Sequence, residues 1–135
     1  MQASTRRAFI GNTTKAAMAG SLILAADHLD KPMKDLFVHH VYFWLKNKDS
    51  KEDLDKLIAG LKKLSAVKTI RQFHIGKPAD THRDVIDRSY SVSWLVFFDN
   101  APDQASYQTD PIHLKFVEEC SALWTRVVVY DSVDM

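Results

Sequence analysis

Residues 107–124, YQTDPIHLKFVEECSALW, contain the clearest helix start in the chain. Asp110 can accept hydrogen bonds from the free N–H groups of a first helical turn, and Pro111 fits the first helical position, where no N–H is needed. Apolar residues then recur along one face of a helix that we expect to continue to Trp124. The members of this face are His113, Phe116, Val117, Cys120, Leu123 and Trp124.

His113 places an imidazole where a helix usually buries hydrocarbon. It would lie near the N-terminus of the helix, where the positive end of the helix dipole disfavours the imidazolium. A neutral imidazole can both accept and donate a proton, so His113 is a candidate general base. The alternative is a core histidine that hydrogen-bonds a backbone carbonyl.

Length and composition restrict the class of protein. The 135 residues suit one domain, and contents of 46% hydrophobic and 26% charged residues are typical of a globular protein. A net charge of +1 gives no electrostatic reason to expect nucleic-acid binding. Because Cys120 is the single cysteine, neither an intrachain disulfide nor a cysteine zinc site can form.

Residues 1–26 resemble an export signal of the twin-arginine type. Arg6 and Arg7 precede Phe9, and the uncharged run at residues 16–26 has the length of a signal-peptide hydrophobic region. That run is too short to span a membrane, which takes about 20 apolar residues. An amphipathic or disordered N-terminal arm is the alternative interpretation.

Signal removal would define the mature chain. Residues 1–26 contain three basic residues and no acidic one, so their removal would change the net charge from +1 to −2. We expect a linker at residues 27–34, one domain at residues 35–135, a periplasmic or secreted location, and no stable membrane insertion after cleavage.

The first predicted strand is the apolar run LFVHHVYFWL at residues 36–45. Alternation divides its side chains between two faces. One face carries Phe37, His39, Val41, Phe43 and Leu45, and the other carries Val38, His40, Tyr42 and Trp44. Neither face is polar, so we expect both to be covered.

The rest of the chain supplies two helices and three strands. Ser50 can cap a helix whose apolar stripe includes Leu54, Leu57 and Leu61. Further strands are predicted at residues 69–75, 90–98 and 126–132, with a polar loop at 79–88 and a short helical turn at 102–107.

The element order β-α-β-β-α-β predicts an α+β, ferredoxin-like fold with a four-stranded antiparallel sheet and both helices on one face. Two helices cover one side of such a sheet, yet the strands carry large apolar groups on both sides. A second copy of the chain is the simplest cover for the other side. We therefore expect a homodimer that forms an α/β barrel.

Three segments resemble the stress-responsive α/β-barrel domain family, whose members form dimeric α/β barrels. They are HHV at residues 39–41 with Lys46, YQTDPIHLKF at residues 107–116, and WTRVVVYD at residues 124–131. The spacing Tyr-x3-Pro-x-His-x2-Phe is the most specific part. Many members have a second histidine where this chain has Asp110, which keeps the helix cap but removes a partner for His113.

The resemblance implies a pocket more firmly than an activity. One similar plant enzyme is a polyketide cyclase whose general base is the histidine that matches His113. A tyrosine matching Tyr107 and a histidine matching His40 line the same pocket. His113 would then remove a proton beside a carbonyl, and Tyr107 would donate to the oxyanion. The residues expected to contact a ligand are His40, Tyr42, Trp44 and Phe116.

Three functions remain open. The first is a protein that binds a small, largely apolar molecule, the second is a cyclase or lyase that uses His113 and Tyr107, and the third is a stress-protective assembly without a ligand. No cofactor is expected. We also expect no metal site, because His39 and His40 point to opposite faces of one strand and cannot chelate together.

Overall fold

The structure, a computed structural model, describes residues 33–135. The predicted signal at residues 1–26 and most of the predicted linker lie outside these residues. The bounds are Phe37–Leu45 (β1), Lys51–Leu64 (α1), Ile70–Gly76 (β2), Val92–Phe98 (β3), Ala101–Thr109 (α2), Pro111–Cys120 (α3) and Trp124–Val133 (β4). None of the helices within the described residues is both long and apolar enough to cross a bilayer.

The four strands form one antiparallel sheet in the order β2-β3-β1-β4. Strand β1 occupies a central position because it is apolar on both faces, whereas β2 and β4 form the edges. The helices pack on one face of the sheet, so the predicted ferredoxin-like α+β fold is confirmed. We call the covered side the helix face and the other side the open face.

Alternation along β1 separates the two faces as the sequence predicts. His39, Val41, Phe43 and Leu45 are buried, while the side chains between them are half-buried. The buried set belongs to the helix face, because Val41 and Phe43 share a core with residues of α1 and α3. His40, Tyr42 and Trp44 therefore belong to the open face.

The core lies between the helix face of the sheet and the three helices. Leu57 and Leu61 of α1 are fully buried there, as are Val96 and Phe98 of β3. Helix α1 also approaches α3 closely at Gly60. A Cβ atom at this position would lie 2.6 Å from Cys120 Sγ, so the contact depends on the missing side chain.

Several predicted boundaries differ from those of the structure. Helix α3 ends at Cys120, and a single 3₁₀ turn at Ser121–Leu123 leads into β4, so Trp124 begins a strand instead of ending a helix. Trp124 pairs with Leu45, and this pairing overrides its helical spacing. The predicted helical turn at residues 102–107 is a nine-residue helix, α2, because the Asn100 side chain caps it by accepting from Asp103 N.

The third predicted strand is also shorter at its start. Strand β3 begins at Val92, although Ser91 N still donates to Phe43 O at 2.7 Å. Helical spacing predicts that Val117 lies on the buried face of α3, but 39% of its surface is exposed. It lines the same cavity as Val127 and Val129 of β4, which are exposed as well.

Candidate functional site

A cavity of about 260 Å³, the helix-side pocket, lies between the sheet and α3. Most of its wall is apolar, and three ring-bearing polar residues interrupt it. The lining residues are His39, Val41, Phe43, Leu64, Trp94, Tyr107, Gln108, His113, Phe116, Val117, Trp124, Val127 and Val129. An apolar cavity with a few polar groups has the composition of a small-molecule binding site.

Tyr107 is the most deeply buried polar residue of the pocket, with 1% of its surface exposed. Its phenol oxygen accepts a hydrogen bond from Trp94 Nε1 at 3.1 Å. Burial raises the pKa of Tyr107 to about 12, so the phenol keeps its proton. Within the described residues the oxygen makes no other hydrogen bond, and its O–H is therefore left to donate to a ligand.

His113 has a fixed tautomer because its partner is a carbonyl. Its Nδ1 lies 3.1 Å from the oxygen of Gln108, which can only accept, so Nδ1 carries the proton. Burial lowers the pKa of His113, and the Gln108 carbonyl offsets this only in part. The imidazole is thus neutral at pH 7, and its Nε2 can accept a proton.

His39 is the second histidine of the pocket and is 5% exposed. Its Nδ1 lies 2.6 Å from Oδ1 of Asp131, which is directly opposite on β4. The carboxylate accepts from Nδ1–H and holds the ring in one orientation. The bond places a proton on Nδ1, and Nε2 of His39 has no hydrogen-bond partner among the described residues.

The three rings form one group. Tyr107 lies between the histidines, with centroid distances of 5.6 Å to His39 and 4.7 Å to His113. The group offers the Tyr107 O–H as a donor and Nε2 of His113 as an acceptor. Such a set can hold a carbonyl oxygen on the phenol and take a proton from a neighbouring hydroxyl or acidic carbon.

The predicted site residues divide between the two faces. His113, Tyr107 and Phe116 line the helix-side pocket together. His40 does not join them, and the histidine beside Tyr107 is His39 instead. The expected convergence of His40 with Tyr107 is therefore wrong, because consecutive residues of β1 point to opposite faces.

Tyr42 and Trp44 line a second cavity of about 320 Å³ on the open face, the aromatic pocket. Its other lining residues are Asp87, Tyr90 and Tyr130. His40 lies beside it, with its ring 4.4 Å from that of Tyr42 and its Nδ1 3.2 Å from the Tyr42 oxygen. These predicted ligand contacts thus belong to a separate cavity.

Sequence reasoning missed His39, Asp131, Trp94 and Gln108. Alternation placed His39 on the same strand face as Val41, but it did not show which face the helices cover. The partnership of His39 with Asp131 joins residues 92 positions apart, and the pairing of β1 with β4 alone establishes it. Gln108 acts through its backbone, which its residue type does not reveal.

No three His, Cys, Asp or Glu side chains within residues 33–135 cluster closely enough to hold a metal ion. Cys120 is buried, and burial raises the pKa of its thiol. A protonated, enclosed thiol is a poor nucleophile. The chemistry of the helix-side pocket therefore depends on its two histidines and its tyrosine.

The fold has counterparts of known structure. A ferredoxin-like protein of the Dabb family from Mesorhizobium loti shares 20% identity over 74% of this chain and 97% of its own, with a TM-score of 0.63. A hydroxynitrile lyase from Passiflora edulis shares 20% identity over 76% of this chain and 96% of its own, with a TM-score of 0.63. At these identities the likeness shows the fold alone.

A third counterpart is a dimeric protein of unknown function from Bacteroides fragilis, with 17% identity over 76% of this chain and 100% of its own and a TM-score of 0.60. No curated protein matches the chain significantly. The stress responsive A/B barrel domain, Dabb, matches residues 37–134, which include every strand and helix described above. The resemblance inferred from the motifs is confirmed, and the chain belongs to the Dabb family of stress responsive A/B barrel domains.

Proposed function

We propose that this protein binds a small, largely apolar molecule bearing a carbonyl or hydroxyl group in the helix-side pocket. The observation that supports this most is the Tyr107 hydroxyl, which accepts from Trp94 and retains its own proton in an otherwise apolar cavity. A buried donor without an acceptor is costly, and a ligand oxygen would satisfy it.

The size and walls of the pocket limit the ligand. A volume of about 260 Å³ lies below the range of roughly 300–1,000 Å³ typical of drug-sized ligands. The aromatic walls at Phe43, Phe116 and Trp124 suit a flat or compact apolar body, and Phe116 stacks on Trp124 at 5.8 Å. The proposed ligand is therefore one small ring or a short branched chain with one polar end.

A second candidate function is a proton-transfer reaction of the cyclase or lyase type. The neutral His113, with its proton held on Nδ1 by the Gln108 carbonyl, favours this candidate. Its Nε2 would remove a proton beside a substrate carbonyl, and Tyr107 would donate a hydrogen bond to the resulting oxyanion. The Passiflora edulis relative is a lyase, which makes the reaction class reasonable for this fold.

Ligand binding and proton transfer can be tested with one set of small carbonyl compounds. Acetophenone and acetylacetone should bind more tightly than ethylbenzene, which lacks the oxygen, as followed by NMR chemical-shift changes. His113→Gln and Tyr107→Phe should each weaken binding, and their effects should be non-additive because both groups contact one ligand. His82→Gln, an exposed histidine remote from the pocket, is the control.

Proton transfer has its own readout. Enzyme-dependent exchange of the acidic C–H protons of these compounds for deuterium should disappear in His113→Gln if His113 is the base. Binding without exchange would support the ligand-binding function alone. If no compound of the panel binds and the substitutions only destabilise the fold, the third function, a stress-protective assembly without a ligand, is favoured.

We further propose that the protein is a homodimer joined through the open face. This face has an apolar surface that no helix of the described residues covers. It is formed by Val38, Leu95, Phe97 and Val128. The Bacteroides fragilis relative with the same fold is dimeric. Sedimentation of the protein at micromolar concentration should give a mass of two chains, and a soluble monomer that binds no apolar dye would contradict the proposal.

Export of the chain is a separate proposal, supported by Arg6, Arg7 and the uncharged run at residues 16–26. A fusion of residues 1–30 to a reporter that requires twin-arginine transport should leave the cytoplasm. Replacing both arginines by lysine should stop export. Unchanged export of the double variant would contradict the twin-arginine mechanism, and an unsubstituted fusion that stays in the cytoplasm would contradict the periplasmic or secreted location.

A further inference from the structure

Trp94 is the one residue of β3 that lines the helix-side pocket. Alternation along β3 brings its side chain to the helix face, where Trp94 pairs with Val41 of β1 and Ile75 of β2. Only 1% of its surface is exposed. Val92 and Val96 lie on the same face of β3 but do not reach the cavity. A single indole ring therefore forms the β3 wall of the pocket.

The indole also separates the cavity from the edge of the sheet. Phe73 of the edge strand β2 packs against Trp94, with a ring centroid distance of 5.4 Å, and is 47% exposed. No residue of β2 lines the cavity. A side chain shorter than tryptophan at position 94 would therefore extend the cavity toward Phe73, and the length of the ring limits the space for a ligand.

The indole nitrogen determines the direction in which Tyr107 donates. Trp94 Nε1–H can only donate, and it does so to the Tyr107 oxygen at 3.1 Å. Both residues are 1% exposed, so this hydrogen bond is sheltered from water. A phenol proton directed at Trp94 would face another N–H group. The proton of Tyr107 therefore turns away from the indole.

The same hydrogen bond makes the phenol a better donor. Burial raises the pKa of Tyr107 to about 12, and the Trp94 N–H offsets part of this rise by stabilising negative charge on the oxygen. A donor to the phenol oxygen polarises the O–H bond in the same way. Tyr107 thus stays protonated, while its hydroxyl donates more strongly than an isolated buried phenol would.

We propose that Trp94 is the specificity-determining residue of the helix-side pocket. Its N–H positions the Tyr107 hydroxyl to donate to a ligand carbonyl, and its ring limits the ligand to one aromatic ring or a body of similar size. The preferred ligand class is therefore small ketones and aldehydes such as acetophenone, and two-ring ketones are excluded. This inference rests on the function proposed above, because it concerns the ligand of the same pocket.

The role of the N–H is tested by Trp94→Phe, which keeps an aromatic ring but cannot donate. Acetophenone and ethylbenzene have similar shapes, so the ratio of their dissociation constants isolates the contribution of the carbonyl. NMR titration of the full chain should show that Trp94→Phe reduces the preference for acetophenone about threefold. In infrared spectra, the C=O stretch of bound acetophenone should shift toward its value in an apolar solvent.

A double variant tests whether Trp94 acts through Tyr107. Tyr107→Phe removes the hydroxyl that Trp94 positions, so adding Trp94→Phe to it should leave the preference for acetophenone unchanged. A further loss in the double variant would mean that the indole contacts the carbonyl directly. That result would contradict the positioning role.

The role of the ring is tested by Trp94→Leu. This variant should improve the binding of 2-acetylnaphthalene relative to acetophenone about tenfold, because the second ring gains the space of the indole. Phe98→Leu is the matched control. Phe98 is a buried aromatic residue of the same strand, 5.1 Å from the Tyr107 ring between centroids, but it does not line the cavity.

Phe98→Leu should leave both ratios unchanged, and circular dichroism checks that every variant folds. Equal changes in the Phe98 and Trp94 variants would indicate a general loss of packing and reject the inference. If the unsubstituted protein does not prefer acetophenone to ethylbenzene, the proposed function fails and this inference fails with it. If that preference exists but survives Trp94→Phe, or if Trp94→Leu still excludes 2-acetylnaphthalene, the proposed function stands and the role of Trp94 is overturned.

Discussion

His39 and His40 are adjacent in the chain but lie in opposite environments. His39 faces the helices, is 5% exposed and donates to Asp131 at 2.6 Å. His40 faces away from them and is half-buried, and its ring lies 4.4 Å from that of Tyr42 at a tilt of 31°. A carboxylate thus orients His39, whereas the hydrogen-bond partner of His40 is the Tyr42 hydroxyl, 3.2 Å from its Nδ1.

The two faces of the sheet are therefore suited to different kinds of contact. On the helix face, the polar groups are enclosed by a core that is complete within one chain, which suits precise ligand contacts. On the open face, apolar and aromatic groups stay half-exposed, which suits contact with a second copy or an added ligand. Substitutions on the helix face should therefore mainly change the free energy of unfolding, whereas substitutions on the open face should mainly change association of the chains.

The largest effect on stability is expected from the helix-face core. Leu61 is fully buried against the sheet, so Leu61→Ala should lower the free energy of unfolding by about 2–5 kcal/mol. Leu114→Ala is the matched control, since Leu114 is a helical leucine that is 55% exposed. Its effect in urea unfolding should stay within about 0.5 kcal/mol.

The next effect concerns association through the open face. Leu95 lies on this face opposite His40, and Leu95→Asp would place a charge in the proposed dimer contact. The dimer dissociation constant should rise by about 100-fold or more, which corresponds to roughly 2.7 kcal/mol. Leu114→Asp carries the same change on a helix, and sedimentation should show that it leaves the dimer intact.

A smaller effect separates the two hydroxyls of the opposite faces. Tyr107→Phe removes the acceptor of the buried Trp94 N–H and should cost about 1–3 kcal/mol in thermal or urea unfolding. Tyr42→Phe removes a half-buried hydroxyl beside His40 and should cost about 0.5 kcal/mol or less. Equal losses in both variants would mean that the faces do not differ as described.

The smallest expected effect is a dependence of stability on pH. The folded pKa of His113 lies below the unfolded value of about 6.5, mainly through burial. Between these two values the unfolded chain binds more protons, so stability should fall as pH drops below about 6.5 and level off beneath the folded pKa. His40 has a lowered pKa as well, so it contributes in the same direction.

His113→Gln should reduce this pH dependence, whereas His82→Gln, which removes an exposed imidazole, should not. NMR of the imidazole nitrogens can follow His113 directly. It should report the neutral tautomer with the proton on Nδ1 at pH 7. A proton on Nε2, or a His113 pKa above 6.5, would contradict the hydrogen bond to Gln108 that fixes the proposed base.

Local patterns predicted the elements of this fold well. Alternation along β1 gave both strand faces, and Asp110 with Pro111 marked the start of α3, where Asp110 Oδ1 accepts from Ile112 N. These features depend on neighbours a few residues apart. The end of α3 was placed too late because Trp124 fits both the helical spacing and a strand that pairs with Leu45.

The site was predicted only in part because it depends on contacts between distant residues. The motif pointed to Tyr107 and His113, which the structure brings within 4.7 Å between ring centroids. Whether His39 or His40 joins them depends on which face of β1 the helices cover, and the strand alone cannot decide this. The aromatic pocket was missed as a unit because Asp87 and Tyr90 come from a segment without regular structure.

The close approach at Gly60 has a consequence for how sequences of this fold can change. A methyl group at residue 60 would meet Cys120 Sγ at 2.6 Å and the Phe116 ring at 3.3 Å. An alanine there becomes acceptable once residue 120 shrinks to alanine or glycine, so the two positions share one fixed volume. Among descendants of this chain, substitutions at 60 and 120 should therefore be inherited as pairs, and either one alone should be rare.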